Sequence, residues 1–155
     1  MTAHERLAEV FIEALPDAAA RAIEEHTPEH VSAFVDAIPD SLSTKALGSM
    51  QPAHAARCLA RVSPGAALRY LRPLSAQSIA AIFRHLPAEL RAGLLAELPR
   101  RLAVRVNLIL HYPLSAVGNW VDTSVPTVAR DARVEDARVI FGASSENEYQ
   151  TVYVV

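Results

Sequence analysis

His26 and His30 stand four residues apart, the spacing at which one helix face can offer two imidazoles to zinc. Pro28 lies between them and opens a helix, so the two rings do not share a continuous face, and no third ligand is spaced to join them. They read as surface histidines. His54, His85 and His111 each stand alone near a helix end, and a last-turn histidine favours the negative helix terminus, which is reason enough for His85 and His111. Cys58 is the only cysteine, so no internal disulfide forms, as suits a reducing compartment. In "HAARCLARV" it falls on or near an apolar helical stripe, where a thiol is buried and inert. A catalytic cysteine needs a histidine and an orienting group beside it, and the chain spells out neither that arrangement nor a Ser-His-Asp set. The five glycines are dispersed and make no phosphate-cradling loop. Glu24–Glu25 and Glu135–Asp136 are adjacent pairs that point differently from a helix and read as solvated faces. The expectation is a protein that is not an enzyme.

Charge is more informative in its distribution than in its total of −2. Met1 to Asp40 carries nine acids against two Arg, whereas Ser41 to Ala88 carries one Lys and five Arg with no acid at all. The arginines from Arg57 to Arg105 could form a basic stripe. Nucleic-acid binding wants such a footprint with stacking aromatics. Tyr70 and Phe83, the aromatics nearby, fall at apolar helical positions and read as core. The stripe is better matched to an acidic partner or to the acidic first forty residues, and nucleic acid is not the expected partner.

The elements that must position these groups come from a repeat. Prolines punctuate the first hundred residues at Pro16, Pro28, Pro39, Pro52, Pro64, Pro87 and Pro99, mostly about a dozen residues apart, and Ser75 falls where a further unit starts. Proline is welcome at the first position of a helix and unwelcome deeper inside it. Thr27 and Ser63 precede Pro28 and Pro64, where a hydroxyl can cap. Apolar residues then recur at helical spacing, as in Val31, Phe34, Val35 and Ile38, in Ile79, Ile82, Phe83 and Leu86, and in Leu90, Leu94, Leu95 and Leu98. Helices this short do not stand alone in water. They must stack on their neighbours, so the sequence predicts a mainly α superhelix of short helices in units of about twelve residues. The Ala-rich composition, with few aromatics, suits close helix packing. The N-terminal "MTAHERLAEVFIEALP" is acidic and amphipathic, without the basic start or cleavage site of a signal peptide. No stretch approaches the ~18 apolar residues of a membrane span.

At "HYPLSAVGNWVDTSVPTV", His111 to Val128, the style of the chain changes. Tandem short helices such as "LPAELRAGLLAELP", Leu86 to Pro99, followed by Tyr112, Ala116 and Gly118 as a connector, resemble the cytosolic part of MgtE-type magnesium transporters and channels. Val117, Asn119 and Trp120 depart from the commonest form of that connector. "VPTVARDARVEDARVIFGASSENEYQTVYVV" looks like the first half of a CBS motif: a strand over Val125 to Val128, a helix over "DARVEDARVIFGA", and a strand in "QTVYVV". The resemblance implies a helical domain over residues 1–112 and a connector with a partial CBS-like β-α-β unit over 113–155.

The resemblance also implies a cytoplasmic regulatory domain that senses a divalent cation, Mg²⁺, or gates through interdomain docking. Mg²⁺ takes oxygen ligands, usually one or two carboxylates with waters. The candidates are Asp36 and Asp40, at i and i+4, with Asp122, Asp131, Glu135 and Asp136; residues 41–88 offer none. The implied partners are other cytosolic or membrane domains of a transporter, and a second copy through the CBS-like unit. The implied mechanism is conformational, with a cation between carboxylates offsetting their repulsion in a closed arrangement. The alternative is a metal-free protein-interaction scaffold, since the flagellar rotor protein FliG has similar short-helix units.

Overall fold

The computed structural model describes residues 3–113, 115–116, 127–142 and 153–154. Each repeat unit gives one helix. After α1 (Ala3–Ala14) come α2 (Pro16–Glu24), α3 (Pro28–Ala37), α4 (Asp40–Ser49) and α5 (Pro52–Leu59). They are followed by α6 (Pro64–Leu71), α7 (Ala76–Phe83), α8 (Ala88–Glu97) and α9 (Arg100–His111). The chain separates into two compact units, Met1–Trp120 and Val121–Val155.

Proline sets where most of these helices start. Pro16, Pro28, Pro52 and Pro64 occupy the first helical turn as expected. Pro39, Pro87 and Pro99 stand one residue earlier, extended, at the N-cap. Their carbonyls accept the first bond of each helix, from the N–H of Ser43, Arg91 and Ala103 at 3.0, 2.9 and 2.9 Å, and no side chain caps these three starts. Ser63 caps α6 by accepting from the Ala66 N–H at 3.2 Å, and Ser75 caps α7 by accepting from the Ser78 N–H at 3.1 Å. Thr27 makes no such bond. The helices stop for a related reason. Ile38 and Leu98 directly precede a proline, which bars the helical conformation, and both are extended and buried.

The packing rule of the first unit is that each helix touches the next but one: α2 with α4, α3 with α5, α4 with α6, α5 with α7, α6 with α8 and α7 with α9. Two interleaved rows result, and α1 closes the first end against α2 and α4. This is the stacked superhelix that the repeat predicts. Small residues make the close approach workable. Ala20, Ala46, Ala55, Ala67 and Ala80 are among the most buried positions, with Val35, Leu71, Ile79 and Phe83 filling the space between them. Val31, Ile38, Ile82, Leu86, Leu94 and Leu98 are buried as their spacing predicts, while Phe34, Leu90 and Leu95 pack half-buried at the margin. Tyr70 and Phe83 belong to the core. At roughly 25 cal/mol per Å² of apolar surface removed from water, this shared core, not any one helix, stabilises the array.

In the second unit, β1 (Thr127–Val128), α10 (Val134–Gly142) and β2 (Tyr153–Val154) follow in that order. The strands pair in parallel, with Thr127 opposite Tyr153 and Val128 opposite Val154. Asp136 accepts from the Arg133 N–H at 3.0 Å and so caps the start of α10. Among the described residues, no helix is long and apolar enough to cross a membrane.

Candidate functional site

The acidic start of the chain meets its basic body on one surface, formed by α3 and α4 facing α5 and α6. Glu29, in the first turn of α3, accepts from Arg61 just beyond α5, with Nη2 at 2.8 Å and Nε at 2.9 Å from the same Oε1. Asp40, the first residue of α4, accepts from Arg69 Nε of α6 at 2.9 Å. Asp36, near the end of α3, accepts from the Tyr70 hydroxyl at 3.0 Å. Thr44 of α4 donates to the Tyr70 carbonyl at 3.2 Å. The Arg69 guanidinium lies 5.8 Å from the centre of the Tyr70 ring, within cation–π range. Two arginines of the basic stripe therefore meet the acidic first forty residues, as the charge distribution favours.

Asp36 and Asp40 are brought together, but not by one helix. α3 ends at Ala37, Ile38 and Pro39 are extended, and Asp40 opens α4. The spacing that would align them on one helix therefore does not apply, and the adjacent residues Arg69 and Tyr70 collect them instead. Both carboxylates act on Arg69, whose bond to Asp40 is the leading cause that raises its pKa. Burial, and then the bond to Asp36, push the Tyr70 phenol above its ordinary value. Glu29 is held below the usual carboxylate value, first by its own backbone N–H and then by Arg61.

The other sequence-level candidates lie apart. Asp131, Glu135 and Asp136 are exposed in the second unit, and Asp136 is taken up by its cap. Asp122 lies outside the described residues, as do Gly118, Val125 and Gln150 of the connector and strand readings. Among the described residues, no three His, Cys, Asp or Glu side chains converge on a point where a metal could sit. Asp36, Asp40 and Glu29 are oxygen ligands of the type a hard cation takes, and each retains lone pairs beyond its present bond. They fit a cation only with further oxygens from water or from a partner surface.

His26 follows α2 and His30 lies in α3, so the two do not share a helix. They instead border an apolar cavity of about 340 Å³, floored by Phe11, Ile12, Ile23 and Val31. Cys58 is 1 % exposed, and burial pushes its thiol up to about 11, which is the inert state. Glu24 accepts from the backbone N–H of Gln51 and so helps begin α5, whereas Glu25 is exposed. Sequence reasoning missed Ser43. It is the buried polar side chain of the described core, and its hydroxyl donates to the Val35 carbonyl at 2.7 Å. The signal was available: residue 39 is proline, so the helix itself has no N–H to give to Val35.

The first unit is an array of two-to-three-turn helices, clasped across neighbouring repeats by carboxylates. Residues 14–115 match the model of the MgtE intracellular N domain, so the chain belongs to that family. One solved structure similar to it is the soluble part of a magnesium transporter, at 15% identity and a TM-score of 0.50, covering 97% of this chain and 66% of that one. Another is the cytosolic domain of the Mg²⁺ channel MgtE in complex with ATP, at 22% identity and a TM-score of 0.47, covering 95% of this chain and 66% of that one. The chain thus spans 66% of the length of each of these two. No curated protein matches it.

Proposed function

We propose that this chain is a cytosolic regulatory part of a magnesium transporter or channel, acting through docking rather than catalysis. The observation that carries the reading is the family match over residues 14–115, which covers the repeat helices from α2 to α9. The second unit is read as the first half of a CBS domain, supported by its parallel strand–helix–strand order. The partners are the remaining domains of the transporter. The α3–α4 carboxylates Asp36 and Asp40 are the proposed Mg²⁺ contacts, completed by oxygens of the surface that docks on them. A cation there offsets the repulsion between two acidic surfaces and favours the docked state by its differential affinity.

A metal-free docking scaffold is the second reading. It is favoured by what these carboxylates already do, since Asp36 and Asp40 are engaged by Tyr70 and Arg69 of α6.

Thermal unfolding of the chain titrated with Mg²⁺, beside Ca²⁺ and a salt-matched control, separates the two. A ligand that binds only the folded state raises the midpoint by mass action. The sensor reading expects a saturable rise with Mg²⁺. Asp40→Asn should abolish it, and Arg69→Met, which frees Asp40 from its competitor, should move saturation to lower Mg²⁺. No rise beyond the salt control would remove cation sensing from this chain and leave the scaffold.

A further inference from the structure

Helix α1 buries Ile12 against the array and turns its other face outward. Leu7 is 69% exposed, Val10 57% and Phe11 39%, with Leu15 just beyond the helix at 57%. Leu7, Phe11 and Leu15 recur every four residues with Val10 beside them, so they form one apolar ridge. Glu13 stands one turn from Val10, and Glu9 one turn before Glu13. The ridge belongs to the strongly acidic first forty residues.

The other end of the array carries the complement. An open groove of about 820 Å³ runs among α7, α8 and α9. Ala81, Ala88, Ala92 and Leu95 give it an apolar floor with small side chains; Arg91, His85, His111 and Arg84, whose guanidinium also holds the Ile109 and Tyr112 carbonyls, line it. No carboxylate is among its described lining residues. Residues 84–111 carry five Arg against two Glu. Val104 and Leu108, 63% and 50% exposed, continue the apolar surface along α9, one turn from Asn107 and His111 respectively.

An amphipathic helix with an acidic side is what such a groove accepts. The chain's own α1 is held at the far end against α2 and α4. We infer that the groove takes α1 of a second copy, so that copies associate head to tail through the helical unit. The contact is heterologous: each copy keeps a free ridge at one end and a free groove at the other, so growth continues past the dimer. One helix face in one groove is small beside a stable interface of roughly 1,600 Å², so the association is weak and concentration-dependent.

Sedimentation velocity on the full chain, from about 10 µM to about 1 mM, spans the affinities expected of so small a contact. The expected result is a sedimentation coefficient that keeps rising past that of a dimer. Association should weaken about tenfold or more between ~0.05 M and ~0.5 M salt, because exposed charges are screened. Leu7→Arg with Leu15→Arg destroys the ridge and adds repulsion; Ala92→Arg fills the groove. All three positions are exposed, and circular dichroism melts confirm that the variants fold. Each variant should be monomeric alone. An equimolar mixture should form a dimer and stop there, since one intact ridge meets one intact groove. A wild-type chain that stays monomeric or stops at a dimer, variants that still associate, or a mixture that stays monomeric would each overturn the inference. None of these readouts involves Mg²⁺.

Discussion

The Tyr70 hydroxyl donates to Asp36 Oδ1 at 3.0 Å, joining residues thirty-four positions apart. Tyr70 is 1 % exposed, so its ring fills the core while its oxygen reaches the surface carboxylate. Tyr70→Phe keeps the ring and removes one hydrogen bond whose acceptor is reachable by water, so it should cost about 1 kcal/mol. Tyr70→Ala leaves a cavity as well and should cost about 3–5 kcal/mol. Urea denaturation measures both. Adding Asp36→Asn to Tyr70→Phe should cost little more than Tyr70→Phe alone if the pair acts as a unit.

Ser43 supplies the donor that Pro39 withholds from Val35. Ser43→Ala therefore leaves a buried carbonyl with no partner and should cost about 1–3 kcal/mol, much for so small a deletion. Ser43→Thr keeps the hydroxyl but adds a methyl to a fully buried site, so it should also destabilise, through overpacking. If Ser43→Ala were neutral by denaturant titration, water would have to be reaching the Val35 carbonyl.

Two helical glycines should respond differently to the same change. A Cβ at Gly93 in α8 meets nothing within 4 Å, so Gly93→Ala should stabilise by about 0.5–1 kcal/mol. A Cβ at Gly48 in α4 would come within 3.0 Å of Leu74 Cδ2. Gly48→Ala should gain less than Gly93→Ala, because Leu74 must shift to make room. Comparing the two melting midpoints tests how tightly α4 approaches the turn after α6.

Alkaline pH should unfold the chain partly through Cys58. The buried thiol titrates at about 11 when folded, against 9.0 for an ordinary thiol. A group held protonated in the folded state contributes stability below its unfolded pKa and loses it as pH rises through the folded one. The loss falls between about pH 9 and 11 and is on the order of 2–3 kcal/mol. Cys58→Ala should flatten this part of a stability-against-pH curve. A remaining decline at higher pH is expected from Tyr70, whose phenol is raised in the same direction.

The starts, stops and buried faces of the helices were legible in the chain because they are local. Pro28 and Pro64 begin helices by their fixed geometry, Ile38 and Leu98 end them by preceding a proline, and Ile79, Ile82, Phe83 and Leu86 meet the core by spacing alone. Partnerships across repeats were not legible, because they depend on which helices become neighbours. The sequence places Asp36 and Asp40 four residues apart, as if on one helix. Only the next-but-one stacking puts α6 against α4 and lets Arg69 and Tyr70 gather the two carboxylates from separate helices. Thr27 and Ser63 look alike before their prolines, yet only the second hydroxyl caps its helix. Pattern along the chain carries backbone geometry and burial. Hydrogen bonds and ion pairs between distant residues need positions to within a few tenths of an ångström, and only the packed array supplies those.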